Sequence, residues 1–249
     1  MSAPPALSAL RAVLLDIEGT TTPIAFVYDV LFPYARRNLR RHLEQHAARP
    51  EYETLLDQLR VEYHTDQEAR DTLPPWLDAP AAARLTSGVR YCEWLMDRDR
   101  KSTGLKELQG RIWQEGYASG ELLGDVFVDV PEALRRWCAR QLRIGIFSSG
   151  SVLAQKLLFR HSSAGDLSGF IQWYFDTTTG AKTHSESYRR IATAMELPPA
   201  AILFASDVVG ELDAAREAGM QTVLSARPGN KPQPQGHGHP VSESFDLLR

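Results

Sequence analysis

The chain has 249 residues, a length that suits one large domain or a core domain with an inserted subdomain. Its composition, 43% hydrophobic and 24% charged, is that of an ordinary globular protein. A formal net charge of −3 gives no support for binding along nucleic acid or an anionic membrane. No apolar run approaches the about 18 residues of a membrane span, and Cys92 and Cys138 lack any CxxC spacing, so we expect a cytoplasmic protein with reduced, buried or half-buried thiols.

The first predicted element is a strand over residues 11–17, "RAVLLDI". Its dense apolar run with branched residues is typical of a strand that is covered on both faces, as in a parallel sheet. Two acids one residue apart, Asp16 and Glu18, close this run, and Gly19 follows them.

Residues 26–118 have a different pattern, with apolar residues at spacings of three and four and with Arg and Glu between them. Breakers at Arg49-Pro50, 73–80 and 101–104 divide this text into four predicted helices. From about residue 125, predicted helices alternate with short apolar runs at 143–147, 170–176, 201–205 and 221–226. The sequence therefore predicts an α/β fold in which helices flank a parallel sheet, with an all-helical insertion.

The last segment is rich in Pro, Gly and His. His237 and His239 lie two residues apart in it, but no Cys or third histidine lies nearby. A solvated loop is favoured here over a metal site.

Polar side chains follow the predicted strands at the sheet edge where parallel α/β folds bind ligands. Asp16, Glu18 and Asp207 offer the oxygen ligands that Mg²⁺ prefers, with Glu211 one helical turn further on. Ser148, Ser149 and the N–H groups of the helix start after them can receive anionic oxygens, and Lys182 adds a positive charge. Together these groups predict a phosphate site, in which a carboxylate can act as the nucleophile.

Each of these residues also has an ordinary structural interpretation. Asp16 or Asp207 alone is typical of a turn former or helix cap, "SSGS" alone of a cap, and Lys182 alone of the surface. Their combination in this order favours the phosphate site.

Four stretches, "DIEGT" (16–20), "SSGS" (148–151), "AKTHSESY" (181–188) and "SDVVGE" (206–211), resemble the signatures of the haloacid dehalogenase superfamily. Glu18 replaces the usual second Asp, and "DIEGTTTPIAFVYDVLFPYA", "FSSGSVLAQKLLF", "FDTTTGAKTHSESY" and "RPGN" are similar to its enolase-phosphatase E1 family. The resemblance implies a Rossmann-like core over residues 1–24 and 122–249 and a helical cap over 25–121.

The resemblance also implies an activity. The family acts on 2,3-diketo-5-methylthiopentyl-1-phosphate in methionine salvage, first by enolisation and then by dephosphorylation to the acireductone 1,2-dihydroxy-3-keto-5-methylthiopentene. It uses one Mg²⁺ per subunit and is typically monomeric.

Roles are carried over by position. The resemblance makes Asp16 the nucleophile that forms an aspartyl-phosphate, and it assigns the metal to Asp16, Asp207 and position 18, through either its carbonyl or its side chain. Glu18 is also expected to act as the acid and base, and its extra methylene could serve enolisation. The remaining roles are substrate binding by Ser148 and Ser149, bridging of nucleophile and phosphate by Lys182, support of the nucleophile by Thr20, and orientation of a metal-bound water by Glu211.

The cap is expected to close over the site and exclude water. Its aromatic residues could contact the methylthio tail, although core packing is favoured for them: Phe26, Tyr28, Trp76, Tyr91 and Trp94. Less favoured functions are a generic phosphatase without an enolase step, a haloacid dehalogenase, which would not require the Asp207 set, and a degenerate binding module.

Overall fold

The computed structural model describes residues 10–68, 72–234 and 236–248. They form two compact units. Of these described residues, the sheet unit comprises 10–28 and those from Gly120 onward, and the helical unit comprises those between Asp29 and Ser119. In the described part of the chain, no helix has the length and apolar character needed to cross a membrane.

The sheet unit is built on six strands, and every neighbouring pair is parallel. This confirms the predicted parallel sheet. The spatial order is β3-β2-β1-β4-β5-β6. The strands are β1 (Ala12–Leu15), β2 (Arg143–Phe147), β3 (Trp173–Phe175), β4 (Ile202–Ser206), β5 (Gln221–Ser225) and β6 (Val241–Ser242). The short β6 falls in the segment expected to be a loop, because a two-residue strand leaves no period in the sequence.

The helical unit contains the four helices expected from the spacing of apolar residues. They are α1 (Phe32–His46), α2 (Pro50–Glu68), α3 (Ala81–Asp97) and α4 (Thr103–Ser119). A π-helix, Phe26–Leu31, precedes α1 where the pattern predicts continuous α-helix. Pro33 explains the difference, since its ring would clash with the carbonyl four residues earlier in a regular α-helix. Helices α1 and α4 approach closely at Gly116. A Cβ at this position would lie 2.7 Å from the Tyr34 ring, so glycine is what permits the approach.

Aromatic residues fill much of the interior of the helical unit. Trp76 and Tyr91 both pack against Tyr63, with ring centroids 5.3 and 5.4 Å from it. Tyr91 also stacks on Trp94 at 6.0 Å. Three of the five aromatic residues singled out in the sequence therefore pack against one another.

Four further helices flank the sheet: α5 (Val130–Ala139), α6 (Val152–Arg160), α7 (Ser185–Ala194) and α8 (Val209–Glu217). The core includes Leu14 of β1, Phe147, Tyr188 of α7 and Phe204 of β4, all without exposed surface. All four residues of β1 are fully buried, which explains the unbroken apolar run. Cys92 is buried and Cys138 half-buried, as expected.

A buried ion pair joins the loop after β5 to the start of α5. Arg227 Nη1 lies 2.8 Å from Asp129 Oδ2, and both side chains are buried. The same carboxylate oxygen accepts a hydrogen bond from the backbone N–H of Phe245 at 2.6 Å. The Arg227 guanidinium also covers the rings of Phe127 and Phe245, at 4.7 and 4.5 Å. This pair ties the C-terminal segment to the sheet unit.

Removing the acid from this pair should be costly, because a buried guanidinium would lose its counter-charge. We expect Asp129→Ala to lower the free energy of unfolding by about 3–5 kcal/mol, measured by urea denaturation. Asp125→Ala, at an exposed position in the same segment, should change it by less than about 0.5 kcal/mol. Equal effects of the two substitutions would contradict the structural role of the pair.

Candidate active site

The strand register brings the polar residues to one edge of the sheet. Leu15 of β1 pairs with Ile146 of β2 and with Ala205 of β4. The residues that follow these three positions therefore leave the sheet at the same level. Asp16 follows β1, and Ser148 follows β2. Ser206 ends β4, and Asp207 comes directly after it.

Asp16 is buried at the centre of this edge, and several donors hold its carboxylate. Oδ1 lies 2.6 Å from Lys182 Nζ and accepts a hydrogen bond from the Ile17 N–H at 2.7 Å. Oδ2 accepts from the Ser206 hydroxyl at a longer 3.3 Å. Oδ1 is thus the more firmly bound oxygen, and Oδ2 is the less constrained one. A fixed carboxylate with one lightly held oxygen suits nucleophilic attack or metal binding.

Lys182 is buried between two acids. Its ammonium lies 2.6 Å from Asp16 and 2.7 Å from Glu211, and the Tyr188 hydroxyl donates to its backbone carbonyl at 2.7 Å. Burial lowers the pKa of Lys182, but the charges of Asp16 and Glu211 outweigh burial and raise that pKa. Lys182 is therefore a permanent positive charge at the site.

The acids at this edge outnumber the single lysine. Burial, and then the charge of Asp16, raise the pKa of Asp207 to about 7 and that of Glu211 to about 7. Lys182 opposes the rise in both cases. The site consequently carries more negative charge than the side chains around it compensate.

Glu18 is half-buried on the same loop as Asp16. Burial, and then the charge of Asp16, raise its pKa, while a hydrogen bond with Ser148 lowers it in part. A raised pKa favours the protonated carboxyl group, which is the form that a general acid requires. Ser148 is buried, and its hydroxyl accepts from the Gly150 N–H at 3.0 Å. Its neighbour Ser149 is exposed.

The loop around Gly19 is tight. Gly19 has φ of +68°, a value that favours glycine, and a Cβ there would lie 2.5 Å from Asp207 Oδ2. Thr20 is fully buried, and in the described structure its Oγ1 has no hydrogen-bond partner. The hydroxyl that donates to the Asp16 carbonyl belongs instead to Thr21, at 3.1 Å.

Two residues of this site were not singled out from the sequence. Ser206 Oγ lies 2.8 Å from Glu211 Oε2 and 3.3 Å from Asp16 Oδ2, so one hydroxyl bridges two carboxylates. Asn230, from "RPGN", donates from Nδ2 to the carbonyls of Gly19 and Ser225 at 2.9 and 3.0 Å. Ser206 could have been found as the neighbour of Asp207. For Asn230 the only sequence signal is that "RPGN" is similar to the E1 family. That similarity assigns no role to the asparagine.

The surroundings fit a hard divalent cation. Because Asn230 donates both amide hydrogens to carbonyls, its Oδ1 must be an acceptor, and no described residue donates to it. That oxygen and Asp207 Oδ2 both face the space where a Gly19 side chain would be, 2.8 and 2.5 Å from the Cβ position. These two oxygens accept hydrogen bonds or bind cations, and among the described residues no donor lies between them. Together with the excess carboxylate charge, they suit a cation or its bound water.

The residues predicted as a site thus lie together in the sheet unit. Lys182 and Glu211 contact each other directly, and Ser206 links Glu211 to Asp16. Ser149 differs from the rest of this group because its side chain is exposed. The chemical roles assigned to these residues stay predictions.

Comparisons with known proteins identify relatives of nearly the whole chain. A family model described as haloacid dehalogenase-like hydrolase matches residues 10–219. Enolase-phosphatase E1 of Synechococcus elongatus is 53% identical over 240 residues, covering 96% of this chain and 98% of that protein. The protein of the same name from Sorangium cellulosum is 47% identical over 236 residues, covering 95% and 96%. The crystal structure of the UTR4 protein of Saccharomyces cerevisiae superposes with a TM-score of 0.77 at 33% identity, covering 96% of this chain and all of that one.

The raised pKa of Asp207 generates a prediction about stability and pH. A carboxyl group whose pKa rises on folding stabilises the folded state at low pH, and this contribution is lost as the pH rises through about 7. Asp207→Asn should therefore become more stable relative to the parent by about 2–3 kcal/mol between pH 5 and pH 8, measured by urea denaturation in the presence of a chelator. Asp125→Asn provides the exposed control, and an equal pH dependence for both variants would contradict the prediction.

Proposed function

Because the chain belongs to the enolase-phosphatase E1 family of haloacid dehalogenase-like hydrolases, we propose that it is a bifunctional Mg²⁺-dependent enolase-phosphatase. Its substrate is 2,3-diketo-5-methylthiopentyl-1-phosphate. The enzyme first enolises the diketone and then removes the phosphate, giving the acireductone 1,2-dihydroxy-3-keto-5-methylthiopentene of methionine salvage. The proposal includes a cytoplasmic monomer that binds neither nucleic acid nor membranes.

The observation that carries this proposal is the position of Lys182. Its ammonium lies 2.6 Å from Asp16 Oδ1, at the edge of the sheet where β1 ends. A fixed positive charge beside the nucleophile is what a dianionic phosphate needs in order to approach a carboxylate, since the two anions otherwise repel each other. A surface lysine or a simple helix cap would not be buried in this position.

Phosphoryl transfer requires two proton movements, and the proposal assigns both to Glu18. A carboxylate oxygen of Asp16 attacks phosphorus, and the bond from phosphorus to the C1 oxygen of the substrate breaks. Glu18 donates a proton to that leaving oxygen. Water then hydrolyses the aspartyl-phosphate while Glu18 takes a proton back. Ser148 and the backbone N–H groups after it hold the phosphoryl oxygens, and Ser149 contributes a hydroxyl from the exposed side.

Mg²⁺ would be held by Asp16, Asp207 and position 18, with one ion per chain, and when bound it offsets the charge of the nucleophile and the phosphate. Within the described residues, the carboxylates of Asp16, Glu18 and Asp207 do not form a set whose ligand atoms all lie within 4.8 Å of one another. This favours the backbone carbonyl of Glu18 as ligand, which leaves its carboxyl group free for proton transfer. Glu211 orients Lys182, and Asn230 supports the loop that carries the nucleophile.

Enolisation uses the same residues before phosphate is released. Lys182 polarises a substrate oxygen, so that the proton on the adjacent carbon becomes more acidic. Glu18 has one methylene more than aspartate, and this longer reach serves removal of that proton. The same group of residues then takes part in both reactions, first in enolisation and then in phosphate release.

The decisive experiment follows both products in one reaction. With the diketone phosphate and Mg²⁺, an enol absorbance should appear before inorganic phosphate is released. Asp16→Asn should reduce phosphate release by about 10³-fold or more, because the amide cannot act as the nucleophile, and the enol should accumulate. The matched control is Asp125→Asn, which should retain both activities.

Other results would contradict the proposal in distinct ways. Phosphate release without a preceding enol would indicate a generic phosphatase. Phosphate release that survives in Asp16→Asn would exclude the covalent mechanism. Activity that persists after removal of divalent cations would exclude the role given to Mg²⁺.

A second substitution separates the two roles of Glu18. Glu18→Asp shortens the side chain but keeps the carboxyl group, so we expect enolisation to fall by about 10²-fold and phosphate release from preformed enol to fall less. Glu18→Gln removes the proton donor and should lower both rates. Equal losses of the two rates in Glu18→Asp would remove the link between side-chain length and enolisation.

A further inference from the structure

A second group of metal-ligating side chains lies wholly within the helical unit. His42 and His46 are four residues apart on α1, so they lie on the same face of that helix. Glu115 reaches them from α4, the helix that packs closely against α1. None of these three residues has a part in the reaction proposed above.

Glu115 bridges the two histidines. His42 Nδ1 lies 2.7 Å from Oε2, and His46 Nε2 lies 2.5 Å from Oε1. One ligand atom from each residue lies within 4.8 Å of the other two. Across the described part of the chain, this is the one group of three or more His, Cys, Asp or Glu side chains that meets that distance.

The protonation states of the group suit a metal ligand set. Burial lowers the pKa of His42, which favours the uncharged imidazole that can offer a lone pair. Burial raises the pKa of Glu115, but hydrogen bonds from His42 and His46 outweigh it and lower that pKa. These shifts favour an ionised carboxylate on Glu115 and an uncharged imidazole on His42, and both forms can bind a cation.

The outer atoms of the group are also arranged as around a metal. His42 Nε2 lies 2.7 Å from the Tyr52 hydroxyl, a second hydrogen bond of the kind that fixes ring orientation in metal-bound histidines. The His46 ring stacks on Tyr52 with centroids 5.3 Å apart, and its Nδ1 has no hydrogen-bond partner in the described structure. Without that second bond, the His46 ring can adjust its position.

A cavity of about 400 Å³ opens beside the group. Its lining includes His42, Tyr52, Arg111 and Glu115. It leaves space next to the ligand atoms for water or a small anion. The positive charge of Arg111 is paired with Glu107 at 2.6 Å, so it does not stand uncompensated against a cation.

We propose that His42, His46 and Glu115 bind one divalent transition cation of the Zn²⁺ class, with a further coordination position open to the cavity. Two imidazoles and one carboxylate are a ligand set that Zn²⁺ accepts, at distances of about 2.0–2.2 Å. Tetrahedral geometry at those distances separates the ligand atoms by about 3.3 Å, so each hydrogen bond to Glu115 opens by less than about 1 Å.

The proton balance of this binding is simple. The proton that each imidazole shares with Glu115 moves to the other nitrogen of the same ring, so no proton has to leave the group on binding. For His42 the displaced proton points at the Tyr52 oxygen, which can accept as readily as it donates. The ion replaces two hydrogen bonds with three bonds to ligands.

The test is a titration of the full-length, metal-free protein with Co²⁺, in saturating Mg²⁺ to occupy the site at the end of β1. We expect one equivalent of Co²⁺ to give the visible absorption of a tetrahedral ion, and Zn²⁺ to displace it. His46→Ala and Glu115→Gln should each weaken Co²⁺ binding by about 100-fold or more. Glu115→Gln keeps the size of the side chain, and circular dichroism checks that both variants are folded.

Two controls make the assignment specific. His64→Ala removes an exposed histidine of α2 and should leave the titration unchanged. Asp207→Asn removes a carboxylate from the candidate Mg²⁺ site at the edge of the sheet, and it should also leave the Co²⁺ titration unchanged. Co²⁺ binding that is lost in Asp207→Asn but retained in His46→Ala would overturn the proposal, as would a parent protein that binds no Co²⁺ in saturating Mg²⁺. Neither result bears on the enolase-phosphatase activity, which is assayed separately.

Discussion

The ammonium of Lys182, buried between the carboxylates of Asp16 and Glu211, is the interaction on which the site depends. Burying one carboxylate without a partner is costly, and here several acids converge at one sheet edge. Lys182 makes that arrangement tolerable, and Ser206 adds a hydroxyl shared between the same two acids. The compensation is incomplete, as the raised pKa of Asp207 shows. The remaining negative charge is suited to the cation proposed for this site.

Backbone hydrogen bonds hold the loop that carries Asp16. The Asp16 N–H donates to the Ala205 carbonyl of the neighbouring strand at 3.0 Å, which extends the sheet pairing to Asp16 itself. Beyond it, the N–H groups of Thr20, Thr21 and Thr22 all donate to the Ile17 carbonyl. The loop is closed from the other side by Asn230. A carboxylate held in this way loses little conformational entropy when a substrate arrives.

Much of this could be predicted from the sequence, because the strongest signals are local. The apolar run of β1, its terminal acids and the helical periodicity of the insertion each follow from spacing within a few residues. The bond from Asn230 to Gly19 spans 211 positions, and no local pattern predicts such a pairing. The π-helix before α1 depends on a proline beyond its end. The contacts between His42, His46 and Glu115 depend on how two helices pack, which periodicity indicates only as a shared apolar face.

The central place of β1 in the sheet has a consequence for how the protein is made. Ala12 pairs with Arg143 on one side and with Ile202 on the other, so both partners are synthesised long after β1 itself. Such long closures are slow and leave a fully apolar strand unpaired in the meantime. Asp16 is therefore synthesised early, but the residues around it can assemble only once β4 has emerged. The helical unit between them is compact in itself and can order during this interval, which shortens the effective loop that β1 and β2 must close.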